Sequence, residues 1–188
     1  MSYIGSVGCG RFKSLIEMGK ALSEIKMDGI PKYIDIGSYQ PAYIELLKEA
    51  EGIRFQGSIP SDEVLKVMSK SMAVIHTESF EQNLMDMVRF SVSTKIAESL
   101  MYGPCLLAYG PEGIASIDYL KENDAAYVIT QTDRLSEGLT EILSNGKLRE
   151  HIMGNARALA ARNHDPEVNA EKLYQCLERT VEKQKILA

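Results

Sequence analysis

The chain has no tryptophan, only 6 prolines and just 3 cysteines among its 188 residues. Cys9, Cys105 and Cys176 are odd in number and far apart, which excludes a disulfide framework and leaves no metal-ligand spacing. Two of them fall in or beside strand-like segments, where a free cysteine behaves as a small hydrophobe, so the compartment expected is a reducing one, the cytoplasm. No apolar run approaches the ~20 residues needed to cross a bilayer. The opening residues 1–5 lack both the basic flank and the apolar stretch of a signal peptide. No block of Lys and Arg suits a nucleic-acid backbone, and with a net charge of −5 an anionic ligand needs a local basic pocket. The glycines after the first apolar run, Gly5, Gly8 and Gly10, do not have dinucleotide-fingerprint spacing. No acid closes the second run, which ends Ile36-Gly37-Ser38, so a nicotinamide-dependent enzyme is a weak reading.

What is present is an alternation. A hydrophobic fraction of 45% and a charged fraction of 25% are those of a globular domain. Short apolar runs at 3–7, 33–36, 53–55, 72–76, 105–108 and 126–129 read as strands, most of them closed by glycine or another turn signal. Between them lie helical patterns: 14–27, a segment opened by Pro41, one opened by Pro60-Ser61-Asp62-Glu63 with Ser61 as cap, 94–102 and 114–121. Residues 78–92 show no clear period, and everything after Thr132 is helical with a break at His164-Asp165-Pro166. Strands separated by helices predict an α/β, Rossmann-like parallel sheet of about six strands with helices on both faces, one domain over residues 1–188. Ligands of such sheets sit beyond the carboxyl ends of the strands, which points to the loops after Val7, Phe55, His76 and Ala108. The first strand begins within a residue or two of Met1, an abrupt start that suggests a domain cut from a longer protein.

The sharpest stretch is Phe90-Ser91-Val92-Ser93-Thr94-Lys95-Ile96-Ala97-Glu98-Ser99-Leu100-Met101-Tyr102-Gly103-Pro104-Cys105-Leu106-Leu107-Ala108. It puts hydroxyls and a cation at a helix start, where free N–H groups and the helix dipole favour phosphate. Glu98 lies four residues after Thr94, so both project from one face, and a carboxylate there can accept hydrogen bonds from a ribose diol. This run, with the continuation Tyr109-Gly110-Pro111-Glu112-Gly113, resembles the donor-binding signature of retaining glycosyltransferases of family four, as found in bacterial polysaccharide clusters. The resemblance extends over most of the chain, and residues 93–113 carry most of its specificity.

The resemblance implies one half of a GT-B fold, the half that binds the nucleotide-sugar donor. By it, Glu98 holds the ribose hydroxyls, Ser93 and Thr94 meet the diphosphate, and Lys95 belongs to the same group. Helix capping by Ser93 or Thr94 and a solvated helix-face role for Glu98 are the competing readings. The family usually has an Arg just after the first strand and a Lys a few residues on. Here the glycine loop holds Gly5 and Ser6 at that point, so Arg11 or Lys13 must supply the charge unless they are a solvated pair. The family pairs two glutamates eight positions apart, whereas Glu78, which opens Glu78-Ser79-Phe80 and is the catalytic candidate, lies twenty before Glu98. Either Glu78 still reaches the sugar over a longer loop or its role is reassigned. Arg89 is a candidate further phosphate contact because its fork grips phosphate bidentately. Ser58 and Ile59 belong to the turn that corresponds to the family's base-binding loop, which leaves uracil and guanine undistinguished.

The activity implied is transfer of a hexose from a UDP- or GDP-sugar to a hydroxyl with retention, in polysaccharide or glycoconjugate synthesis, with no metal and no other cofactor. The acceptor half is not in these residues, so the chain alone is expected to be inactive, and any peripheral membrane contact would come through that half. The alternative is a non-catalytic nucleotide- or protein-binding subunit that pairs with a separate acceptor-binding chain. A last helix at about 167–185 carries Val168, Leu173, Cys176, Leu177 and Val181 on one face, suited to packing across to the other half or to forming a homodimer.

Overall fold

The computed structural model describes residues 1–187. The six apolar runs form β1 (Ser2–Ile4), β2 (Ile34–Gly37), β3 (Ile53–Gly57), β4 (Val74–Thr77), β5 (Leu106–Tyr109) and β6 (Tyr127–Ile129). All pair in parallel, in the order β3-β2-β1-β4-β5-β6. The helices are α1 (Arg11–Glu24), α2 (Ile44–Glu49), α3 (Ser61–Ser69), α4 (Gln82–Val88), α5 (Lys95–Tyr102), α6 (Ala115–Glu122), α7 (Leu135–Ser144), α8 (Gly146–Asn163) and α9 (Pro166–Leu187).

Successive strand residues face opposite sides of a sheet, and each side here needs a cover. On β5, Leu107 and Tyr109 join a core with Leu15, Met18 and Leu22 of α1 and Leu139 and Ile142 of α7. Leu106 and Ala108 join the other core, with Ile96 and Leu100 of α5, Ile117 and Leu120 of α6, and Leu159 of α8. Each fully buried Leu or Ile in these layers contributes about 1.5–3 kcal/mol. The layers are thus the Rossmann-like arrangement expected from the alternation of runs.

The feature that positions a site is the weakness of one ladder. β1 and β2 share three paired positions, but β1 and β4 share one, Ser2 with Val74. Beyond it the two strands part. This is where the strand order reverses direction, the point at which open α/β sheets form a ligand crevice.

Several boundaries differ from the sequence reading. β1 ends at Ile4 rather than Val7, because Gly5 sends its N–H to the Gly37 carbonyl (2.9 Å) and the chain then turns, Val7 accepting from the Phe12 N–H (3.0 Å). α1 therefore starts at Arg11, after Gly10 at φ 75°, where an added Cβ would sit 2.5 Å from Ser79 Oγ. Only glycine fits such a left-handed position pressed against a neighbour. Ser61 is not a cap: Pro60 holds that position and no side chain caps α3. The unperiodic stretch contains α4, a seven-residue helix whose apolar side is only half-buried, through Leu84, Met85 and Val88, and is too short to set a period. The last helix forms as expected, yet Val168, Leu173, Tyr174 and Leu177 are all exposed. Val181 lies outside the described side chains. Among the described residues no helix is long and apolar enough to cross a membrane.

Candidate functional site

Two cavities open on either side of the end of β1, one toward β4 and one toward β2, of about 370 and 380 Å³. Both fall within the roughly 300–1,000 Å³ range of small-molecule sites. The first runs along β4 to the start of α5 and includes Arg11, His76, Glu78, Ser93, Thr94 and Glu98 in its wall. The second lies beneath the loops after β2 and β3, among Gly5, Ser38, Tyr39, Gln40, Ser58 and Ile59. Ile4, Ser6 and Lys95 line both.

Lys95 stands between the two because of what lies under it. A Cβ on Gly5 would touch the Lys95 side chain, with Cε at 3.0 Å and Nζ at 3.3 Å, and the glycine's φ of 156° is one that side-chain-bearing residues rarely adopt, so the lysine crosses the main chain closely here. Among the described residues Lys95 takes part in no ion pair. α5 is held by Ile96 and Leu100, which are buried in the second core. The residues between and before them on the helix, Thr94, Lys95 and Glu98, are left exposed at the cavity. No side chain caps α5, so neither Ser93 nor Thr94 uses its hydroxyl on the first-turn N–H groups. The Ser93 carbonyl accepts from the Ile96 N–H (3.0 Å). A helix start without a side-chain cap, beside a lysine, favours an anion.

Glu78, at the end of β4, is 2% exposed. Its carboxylate receives both arms of the Arg11 fork, Nε to Oε2 at 2.9 Å and Nη2 to Oε1 at 3.0 Å. Burial raises the pKa of this carboxyl above its ordinary value, and the hydrogen bonds from Arg11 oppose the rise. His76 Nε2 bonds Ser116 Oγ (3.0 Å) and lies 3.7 Å from Glu78 Oε1. Burial, aided by the Arg11 charge, pushes the His76 pKa down to about 4, so the ring is neutral at pH 7.

Of the residues singled out from sequence, Gly5, Ser6, Arg11, Ser58, Ile59, Glu78, Ser93, Thr94, Lys95 and Glu98 line one or both cavities. Lys13 does not: it is exposed and paired with Glu81. Arg89 does not either, its guanidinium lying 5.4 Å from the centre of the Phe90 ring. Ser38, Gln40 and Tyr3 were missed. The Ser38 hydroxyl is buried without a hydrogen-bond partner among the described residues, in the wall of the second cavity. An orphaned hydroxyl there is ready for a polar ligand atom. The loop after β2 could have been flagged, since β2 adjoins β1 at the reversal of strand order.

Comparison with known proteins identifies the family and the fold. The family model described as glycosyl transferase-like matches residues 21–175, a span that contains Lys95 and Glu98 and begins after the glycine loop. The fold is similar to that of WaaG, a glycosyltransferase involved in lipopolysaccharide biosynthesis, with a TM-score of 0.62 at 16% identity over 85% of this chain and 42% of that one. It is also similar to an alpha,alpha-trehalose-phosphate synthase (UDP-forming) from Burkholderia vietnamiensis, with a TM-score of 0.65 at 12% identity over 95% of this chain and 44% of that one. The chain thus spans less than half the length of either, and its sheet corresponds to one Rossmann-like half of a GT-B fold. No curated protein sequence matches it.

Proposed function

The chain belongs to the glycosyl transferase-like family, and from that premise we propose that these residues bind the nucleoside-diphosphate sugar donor of a retaining hexosyltransferase. The observation that carries this reading is Lys95, a cation without a carboxylate partner among the described residues, lying across Gly5 at the boundary of two cavities. A diphosphate placed there meets the lysine and the start of α5, with the ribose beside Glu98 in the first cavity and the base in the second. Fixed dipoles and a cation at that point stabilise the charge that develops on the departing diphosphate. Glu98 takes the ribose hydroxyls, while the loop of Ser58 and Ile59 and the Ser38 hydroxyl meet the base and its surroundings. The donor is a UDP- or GDP-sugar, no divalent metal takes part, and the work is done in the cytoplasm.

Transfer needs an acceptor-binding half, so these 188 residues turn over little by themselves. The exposed apolar side chains of α9 are where that half or a second copy would pack. Thermal unfolding of the chain with UDP, GDP, ADP, CDP and NAD, each with and without Mg²⁺, tests the reading. A ligand at 100 times its dissociation constant adds about 2.7 kcal/mol. For a domain of this size that raises the midpoint by roughly 5–10 °C. A shift with UDP or GDP, independent of Mg²⁺ and lost in Glu98→Ala, is the expected result. A shift with NAD alone, or a strict need for Mg²⁺, would overturn it.

A further inference from the structure

The family resemblance gives the donor sugar to Glu78, and the geometry argues against that assignment. Both carboxylate oxygens are engaged by the Arg11 fork, at 2.9 and 3.0 Å, and the side chain is 3% exposed. Its main chain is fixed as well: the Glu78 N–H donates to the Tyr109 carbonyl (3.0 Å) and its carbonyl accepts from the Ser14 hydroxyl (2.9 Å). The pairing uses two of about four acceptor sites on the carboxylate, and at 3% exposure the remaining ones are shut off from a sugar hydroxyl by burial. The guanidinium is in the opposite position. It carries five N–H donors, of which this pairing uses two, and the Arg11 side chain is 19% exposed in the wall of the first cavity.

We infer that Glu78 is a positioning residue: it holds Arg11 so that the remaining N–H donors face the diphosphate of the bound donor, and it does not touch the sugar. The inference rests on the donor reading above. Arg11 is thereby the partner of Lys95 at the diphosphate, in place of the arginine that the resemblance expects at Ser6. The lone pairs of Glu78 serve the arginine rather than the ligand.

Titration calorimetry on the full chain separates the two roles, with UDP and GDP against UDP-glucose and GDP-mannose. In Glu78→Gln the affinities for the diphosphate and its hexose conjugate change by a common factor of about ten, so their ratio stays as in the unaltered chain. In the Arg11→Gln background the same substitution adds less than about twofold, because the carboxylate acts through the arginine. The double variant Arg11→Gln, Glu78→Gln buries no charge and serves if Glu78→Gln alone does not fold. It is then compared with Arg11→Gln, from which it should differ by less than that factor. A loss confined to the hexose conjugates, an unchanged affinity for both ligands, or an undiminished effect without Arg11 would each overturn the inference while leaving the donor reading standing. Failure of the unaltered chain to bind any of the four overturns the donor reading and this inference with it.

Discussion

The two cavities on either side of the end of β1 share Ile4, Ser6 and Lys95 but are built from different materials. The first is walled by ionisable side chains from three elements: Arg11 of α1, His76 and Glu78 at the end of β4, and Glu98 of α5. The second is walled by Gly37 at the end of β2 and by the loop residues Ser38, Tyr39, Gln40, Ser58 and Ile59, with no ionised side chain among the described residues besides the shared Lys95. Charge buried in the first must be balanced by neighbours, so altering one side chain unsettles others. The second offers mainly main-chain shape and hydroxyls, so a single truncation there removes little.

The largest effect should come from breaking the ion pair of the first cavity. Arg11→Met leaves the Glu78 carboxylate buried without its partner, and removing one member of a buried pair costs about 3–5 kcal/mol. Urea unfolding at pH 7 reads this as a lower midpoint at unchanged slope. A loss well under ~1 kcal/mol would mean that the carboxylate finds water or another donor, and that the cavity is less dry than its walls suggest.

Next comes the residue common to both cavities. Lys95→Ala should weaken UDP or GDP binding by roughly 10–100-fold, the worth of about 1.5–3 kcal/mol for hydrogen bonds to a charged group. Calorimetry measures it. Equal binding before and after would remove the lysine from the diphosphate and with it the reason for placing the ligand across the two cavities.

How much of this was legible depends on the range over which each feature is determined. The six strands were legible because each is an apolar run bounded by turn residues, a local property of a buried parallel sheet. The start of α5 was legible because Ser93, Thr94, Lys95 and Glu98 are neighbours in the chain. α4 was not, since the half-buried stripe of a seven-residue helix is under two turns long and sets no period. The pairing of Arg11 with Glu78 joins residues 67 positions apart, and no local pattern announces it. The same holds for Lys13, whose charge is taken by Glu81, 68 positions away. Ser6 bonds Gln40 at 3.3 Å and so ties the glycine loop to the loop after β2, a contact only the sheet order creates.

A third test uses acidity to mark the first cavity. The His76 pKa is lowered from 6.5 to about 4 by burial. The unfolded chain therefore takes up a proton on this ring below about pH 6.5, and the native protein only near pH 4. Stability held above that upper value is lost as the pH falls between the two, by about 2 kcal/mol from pH 7 to pH 5. His76→Asn should flatten this part of the profile in urea midpoints measured across the range. A profile that keeps its full slope in the variant would assign the titration to another group.

The smallest effect is expected in the second cavity, and its smallness is the point. Ser58 is exposed in the turn after β3, where Gly57 at φ 75° sets the direction of the backbone. If that turn presents its main chain to the base, Ser58→Ala changes diphosphate affinity by less than about twofold, under ~0.4 kcal/mol. Ile59 marks the limit of this tolerance, because its Cδ1 lies 2.3 Å from where a Cβ on Gly37 would be, so the turn is packed directly on the end of β2. A larger side chain at 37 would push the loop outward and move the main-chain groups with it. A Ser58→Ala loss near tenfold, measured by the same calorimetry, would show that a side chain reads the nucleotide here, and the contrast between a charged cavity and a main-chain one would no longer hold.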